Sequence, residues 1–185
     1  LFFSSSSSVF SVSLCLCGKN SCALAAFAEA VADTADGFDQ VSDFAKFAAD
    51  GADVVFSYRA SSIAAFNVVM AARSLGVRAE AIKADAAQPV ALRALVATTI
   101  AKFGRLDVLV NNAGICLNDL VGDATEDDFD RLIAVNLKAV FIATQEATRH
   151  MPRGGRVVNV SSVLGARVPF RAVSLTPCRS LPSKG

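Results

Sequence analysis

Apolar runs of strand length alternate with longer stretches of helical spacing from about residue 42 onward, and this alternation narrows the fold more than any other feature. "ADVVFSY" (52–58), "VRAEAIKAD" (77–85), "LDVLVNNAG" (106–114) and "GRVVNVSS" (155–162) read as strands. Between them, "SSIAAFNVVMAARSLG" (61–76), "QPVALRALVATTIAKFG" (88–104) and "TEDDFDRLIAVNLKAVFIATQEATRHM" (125–151) read as helices. A shorter helix is expected in "SDFAKFAADG" (42–51), where Phe44, Phe47 and Ala48 share a face and Gly51 closes it. Boundary signals agree with these spans. Ser61 or Ser62 can cap the first long helix and Gly76 ends it; Pro89 sits in the first turn of the next and Gly104 follows its end. Thr125 and Asp128 have capping-box spacing before an acidic first turn. Continuous apolar strands alternating with helices are what a parallel sheet covered on both faces requires. The fold class is therefore α/β, a doubly wound parallel sheet, with ligands expected at the carboxyl ends of its strands.

Those ends carry polar residues where core packing alone would not gather them: Tyr58-Arg59, Asp85, Asn111 to Gly114, and Ser161-Ser162. Composition limits what they could serve. The chain is 53% apolar and 19% charged with a net charge of +1 and no basic run, so nucleic acid and anionic membrane surfaces lack an electrostatic footprint. The five cysteines (Cys15, Cys17, Cys22, Cys116 and Cys178) read as scattered free thiols. Three fall within "CLCGKNSC", but neither His150, the one histidine, nor a fourth cysteine is near enough to complete a zinc set. No metal site is expected.

Three segments, "LDVLVNNAGI", "IAVNLKAVFIATQEA" and "GGRVVNVSSVLG", occur in order over a region of about 42–170 that resembles the short-chain dehydrogenase/reductase family, near its 3-oxoacyl-carrier-protein reductase-like members. The resemblance implies a Rossmann-type sheet that binds NAD(H) or NADP(H) and passes hydride between the nicotinamide and a carbonyl or alcohol carbon. Carried over by position, it puts Asp85 against the adenine ring and Asn112, Ala113 and Gly114 along the cofactor beside the adenine ribose. Asn136 would help hold a proton-relay water, and Ser162, with Ser161 as neighbouring alternative, would hydrogen-bond the substrate oxygen. Cofactor choice is read after the second strand of such a sheet. There "FSYRASS" offers Arg59 and the Ser61 and Ser62 hydroxyls and no acid, which suits a 2′-phosphate and favours NADP(H) over NAD(H).

Two parts of the family pattern have no match. The first is the TGxxxGxG turn, whose glycines let backbone N–H groups approach a pyrophosphate. Before Gly51 the chain has only Gly18 and Gly37. "VFSVSLCLCGKN" could take the first-strand place with Gly18 in the turn and Lys19 near a phosphate; otherwise residues 1–41 are unassigned and expected to be disordered or altered. The second is Tyr-x-x-x-Lys after the serine. The terminal "SLPSKG" resembles "YxPSKG", which would make Lys184 the lysine with Ser180 in the tyrosine's place; the one tyrosine, Tyr58, ends a different strand. A serine hydroxyl is a far weaker acid than a phenol whose pKa near 10 is lowered by a neighbouring cation.

The expectation is an NADP(H)-dependent oxidoreductase by descent, with little turnover as written. The alternative is an inactive family-like fragment that binds nucleotide weakly or serves as an interaction module. A serine hydrolase on Ser162 is set aside: there is no G-x-S-x-G elbow, and His150 precedes the strand. The chain begins without Met, and residues 171–185 read as an altered or truncated tail, so a fragment or a disturbed reading frame is expected. The remaining expectations are a small-molecule carbonyl or alcohol as partner, a homo-oligomer, no nucleic acid, no membrane and a cytoplasmic location.

Overall fold

The computed structural model describes residues 47–115 and 122–160, together with the backbone of two strands, β1 (Val9–Phe10) and β2 (Ala23–Phe27). The strands β3 (Asp53–Tyr58), β4 (Ala79–Lys83), β5 (Val108–Asn111) and β7 (Arg156–Asn159) fall inside the four apolar runs read from sequence. With β2 they form a five-stranded parallel sheet in the order β4-β3-β2-β5-β7. A separate two-stranded pair joins β1 antiparallel to β6 (Gly114–Ile115).

The first-strand place, for which the sequence offered "VFSVSLCLCGKN", is taken by the central strand β2 (Ala23–Phe27). Gly18 precedes that strand, so it does not belong to the turn that follows it. "ALAAF" was missed because alanine is depleted in strands and the run has no β-branched residue. Its place is earned from both sides: Leu24 pairs with Val54 and with Val108, and Ala26 with Phe56 and with Val110.

Helix α1 (Ser62–Ser74) starts on Ser61, whose hydroxyl oxygen accepts from Ala64 N–H at 3.2 Å. It turns inward a stripe of Ala65, Val68, Val69 and Ala72. Helix α2 (Pro89–Phe103) ends at Gly104, whose φ of 82° is a left-handed value that glycine adopts without penalty; its N–H returns to Ile100 C=O. The chain steps outward from β2 to β3 and β4, then returns to β5 and β7. Right-handed crossovers therefore put α1 on one face and α2 and the helix after β6 on the other.

The last helical stretch differs from the single long helix expected. It runs as α3 (Glu126–Ile133), a π turn (Ala134–Lys138) and α4 (Ala139–Thr148). In the π turn the Ala139 N–H reaches back to Ala134 C=O, one residue further than an α-helix allows. The start is as read: Thr125 and Asp128 exchange side-chain and backbone bonds in a full capping box.

Between the layers lies a core built on Val54, Val55, Phe56, Leu92, Leu95, Leu106, Leu109 and Leu132, all almost fully buried. Near the amino ends of β3 and β4, Arg78 bonds the Asp53 carboxylate through Nε at 2.6 Å and through its own N–H at 2.8 Å, and its guanidinium lies 4.6 Å above the Phe103 ring. Lys102 pairs with Glu80 nearby. These contacts tie down the end of the sheet away from the polar strand exits. Among the described residues no helix is long and apolar enough to cross a membrane.

Candidate functional site

The strand order reverses between β2 and β5, because β3 and β4 lie on one side of β2 and β5 and β7 on the other. In an open α/β sheet the crevice beyond the carboxyl ends at this reversal is where ligands enter, since the two adjoining loops leave toward opposite faces. The β5 exit is Asn111-Asn112-Ala113-Gly114, one of the motifs singled out in the sequence.

Asn111 is 3% exposed and points into the protein. Its Nδ2 donates to Thr144 Oγ1 on α4 at 3.1 Å and to Asn159 Oδ1 on β7 at 2.9 Å. Val160 N–H also donates to Asn111 C=O at 2.9 Å. One amide thus joins two strand ends and the helix packed over them. Sequence reasoning missed Thr144 and Asn159, which lie 33 and 48 residues from Asn111; no local pattern links such distant positions.

Ala113, Gly114 and Ile115 are buried and Asn112 is half-buried. Asn136, 4% exposed in the π turn, faces Ile115. Its Oδ1 accepts from Ile115 N–H at 2.8 Å and its Nδ2 donates to Ile115 C=O at 2.9 Å. A primary amide has the donor and acceptor of a peptide group, so Asn136 acts as one more strand residue on that edge of β6. Successive strand residues present their backbone groups to opposite edges, and the other edge, at Gly114, pairs with Phe10. Both the backbone of β6 and the Asn136 amide are thereby committed. A cavity of about 10 Å³ lies behind this loop, against Asn111, Ala113 and the α4 residues Ala139 and Ala143; it is the size of one water and lined mainly by apolar groups.

The exits of β3 and β4 are held side by side by Ala84 N–H donating to Tyr58 C=O at 3.0 Å. Arg59 and Asp85 are the next residues on each strand, so the topology brings both expected adenine-side residues together. Asp85 Oδ1 accepts from Ala87 N–H at 2.8 Å, which shapes the turn into α2. Ser61 caps α1, and the first turn of that helix carries no acidic residue. A helix N-terminus without its own carboxylate retains its attraction for an anion. By contrast α3 fills its first turn with Glu126, Asp127 and Asp128. The Thr125 hydroxyl first, and its backbone N–H second, hold the Asp128 carboxyl below its ordinary value of 3.8. This acidic end belongs to helix capping.

The donor set at β3 and α1 fits a phosphorylated ribose, with a guanidinium, two hydroxyls and a helix N-terminus free of acid. The turn after β2, where a pyrophosphate seat is expected, lies outside the described residues. After Phe27 the sequence runs "AEAVADTADG", with its first glycine at Gly37. Ser161, Ser162 and Lys184 lie outside the described residues. Among the described residues no group of three or more His, Cys, Asp or Glu could hold a metal ion.

Comparison with known proteins agrees with this arrangement. The family model for the short chain dehydrogenases matches residues 43–175. An uncharacterized oxidoreductase of Methylorubrum extorquens is 43% identical over 117 residues, covering 63% of this chain and 47% of the relative. A 3-oxoacyl-acyl-carrier-protein reductase of Staphylococcus aureus is 39% identical over 123 residues, 65% of this chain and 50% of the relative. The chain thus spans about half the length of the curated relatives it matches. Among solved structures, a short chain dehydrogenase of Burkholderia cenocepacia in complex with NADP superposes with a TM-score of 0.72 at 44% identity, covering 75% of this chain and 58% of that one. A short-chain dehydrogenase/reductase of Serratia marcescens gives 0.73 at 40% identity, with 75% and 57% coverage. With its Rossmann-type sheet and a family match over most of its length, the chain belongs to the short-chain dehydrogenase family.

Proposed function

We propose that this chain binds NADP(H) in the crevice at the carboxyl ends of β2 and β5 and descends from an oxidoreductase that reduces a carbonyl or oxidises an alcohol. The observation that carries the reading is the reversal of strand order at β2–β5, with Asn112, Ala113 and Gly114 at its exit. Arg59, Ser61 and Ser62 would hold the 2′-phosphate and Asp85 the adenine. A related structure in complex with NADP supports the cofactor assignment.

NADPH, when bound, would supply the hydride. Asn136 fixes the Ile115 backbone beside the crevice, and Ser162 would take the substrate oxygen. No tyrosine is present for the proton step other than Tyr58, which ends β3. A positioned acid contributes on the order of 10²–10⁴ in rate, so turnover by this chain should fall short of that of a family member carrying the tyrosine by about that factor.

Titrating the purified chain with NADPH and with NADH by nucleotide fluorescence tests the binding. Saturation with NADPH at a lower concentration than NADH is expected. A ketone added next should give little loss of absorbance. Absence of saturation with either nucleotide overturns the cofactor reading, and turnover at rates usual for such enzymes overturns the assignment of the missing acid. The interaction-module reading gains if neither nucleotide binds while the chain remains folded.

A further inference from the structure

The edge of β6 turned away from Asn136 is taken by a segment that precedes the central strand in the chain. β1 pairs antiparallel with β6 in the register Val9↔Ile115 and Phe10↔Gly114, and this pair is separate from the five-stranded sheet. Opposed residues in an antiparallel ladder alternate between pairs that exchange both backbone bonds and pairs that exchange none. The Ile115 N–H and C=O are both bonded to the Asn136 amide, at 2.8 and 2.9 Å. Gly114 with Phe10 is therefore the pair that exchanges bonds, and Val9 opposite Ile115 is the pair that does not. Gly114 is buried, so its N–H and C=O need a partner. The nucleotide reading places the cofactor along Asn112, Ala113 and Gly114, so β1 and the dinucleotide claim the same stretch of backbone.

We propose that β1 is an autoinhibitory strap: the backbone of Phe10 occupies Gly114 at the crevice, and the dinucleotide must displace it to bind. The inhibitory half of this statement rests on the nucleotide reading given above; the pairing does not. The strap is short enough to be displaced. A lone two-stranded pair is marginally stable in water, and this one has two residues on each strand. Its one exchanging pair contributes two hydrogen bonds, each of modest net worth against water. A nucleotide that offers its own donors and acceptors to Gly114 replaces them. The apparent Kd then exceeds the intrinsic one by the reciprocal of the fraction of chains whose strap is open.

Proline supplies matched variants in the full chain, since it removes a backbone N–H. Phe10→Pro deletes a donor of the exchanging pair. Val9→Pro, at the first residue of the strand, deletes one that the ladder leaves unused, and it should pair as the parent does. The five-stranded sheet does not include β1, so both variants should keep the parent's circular dichroism spectrum. In Phe10→Pro the Kd for NADPH, followed by fluorescence, should fall about tenfold, the scale of one lost hydrogen bond. Val9→Pro should keep the parent Kd. Amide hydrogen exchange followed by NMR should rise by a similar factor at Gly114 in Phe10→Pro and stay at the parent rate at Ile115, whose N–H is held by Asn136. In the parent chain, saturating NADPH should speed exchange at Phe10, because coupling between strap and nucleotide is reciprocal. That measurement needs no variant. Unchanged exchange at Gly114 in Phe10→Pro, or equal acceleration at Ile115, overturns the pairing. An unaltered or higher Kd in Phe10→Pro, an equal fall in Val9→Pro, or exchange at Phe10 that NADPH does not speed overturns the inhibition. If neither the parent nor Phe10→Pro binds NADPH, the nucleotide reading fails and the inhibitory role with it, while exchange at Gly114 still decides the pairing.

Discussion

Replacing Asn136 with aspartate should make the stability of this protein depend on pH in a sense opposite to that of most carboxylates. Asn136 is 4% exposed, and its amide accepts from Ile115 N–H at 2.8 Å and donates to Ile115 C=O at 2.9 Å. An ionised aspartate can still accept from the N–H, but its second oxygen would face the carbonyl oxygen lone pairs. Protonated, it can donate there and restore both bonds. Burial and the facing carbonyl both disfavour the charge, so the folded-state pKa of this aspartate should lie above its unfolded value of about 3.9. The native state then binds more protons than the unfolded state between these two values. Stability is fully present below the unfolded value and is lost as pH rises through the folded one, by up to about 1.4 kcal/mol per pH unit. Asn136→Leu sets the scale at every pH. It leaves two buried backbone groups without this partner, at about 1–3 kcal/mol each. The better helix propensity of leucine offsets only a few tenths of about 1 kcal/mol. Urea unfolding followed by circular dichroism at pH 4 and pH 8, referred to the parent protein at each pH, measures the difference. Asn136→Asp should lie near the parent at pH 4 and approach Asn136→Leu at pH 8. Equal destabilisation of the aspartate variant at both values would refute the two-point pairing on which the argument rests.

Other expectations follow from single contacts. Asp128 is held below its ordinary value by Thr125, so the capping box contributes stability that is present above pH 4 and lost as pH falls through the lowered folded value; Thr125→Ala should flatten the acid limb of a stability profile between pH 5 and 2. Gly104→Ala should cost about 1–2 kcal/mol, measured as a lower urea midpoint, because φ is 82° while no atom crowds the position; a neutral result would mean that the turn relaxes. Arg59→Ala should raise the Kd for NADPH about tenfold and leave that for NADH within about twofold, as loss of one charge-assisted contact to phosphate predicts. Equal weakening of both would remove Arg59 from the 2′-phosphate site.

Much of the architecture was legible because it is written in local patterns. Four apolar runs became β3, β4, β5 and β7, and the capping residues and closing glycines of the helices stand where hydrogen-bonding chemistry put them. Polar residues at strand ends marked the face that carries the candidate site, since buried parallel strands leave chemistry nowhere else to go. Ser162 and Lys184 remain expectations from resemblance, outside the described residues. Two other features were beyond any local signal. Ala23–Phe27 is a strand because neighbours on both sides supply ladders; its alanines would serve a helix as well. The π turn exists where Asn136 meets Ile115, a contact spanning 21 residues.

By itself the amino-acid order determined the elements, their ends and the side of the sheet on which ligands would gather, because hydrophobic period, caps and turn residues act over a few positions. Tertiary structure alone decided which segment fills the centre of the sheet and which side chains satisfy the buried backbone and amide groups. A hydrogen bond such as Asn111 to Asn159 depends on two strand ends arriving at one place, and that meeting is a property of the packed sheet.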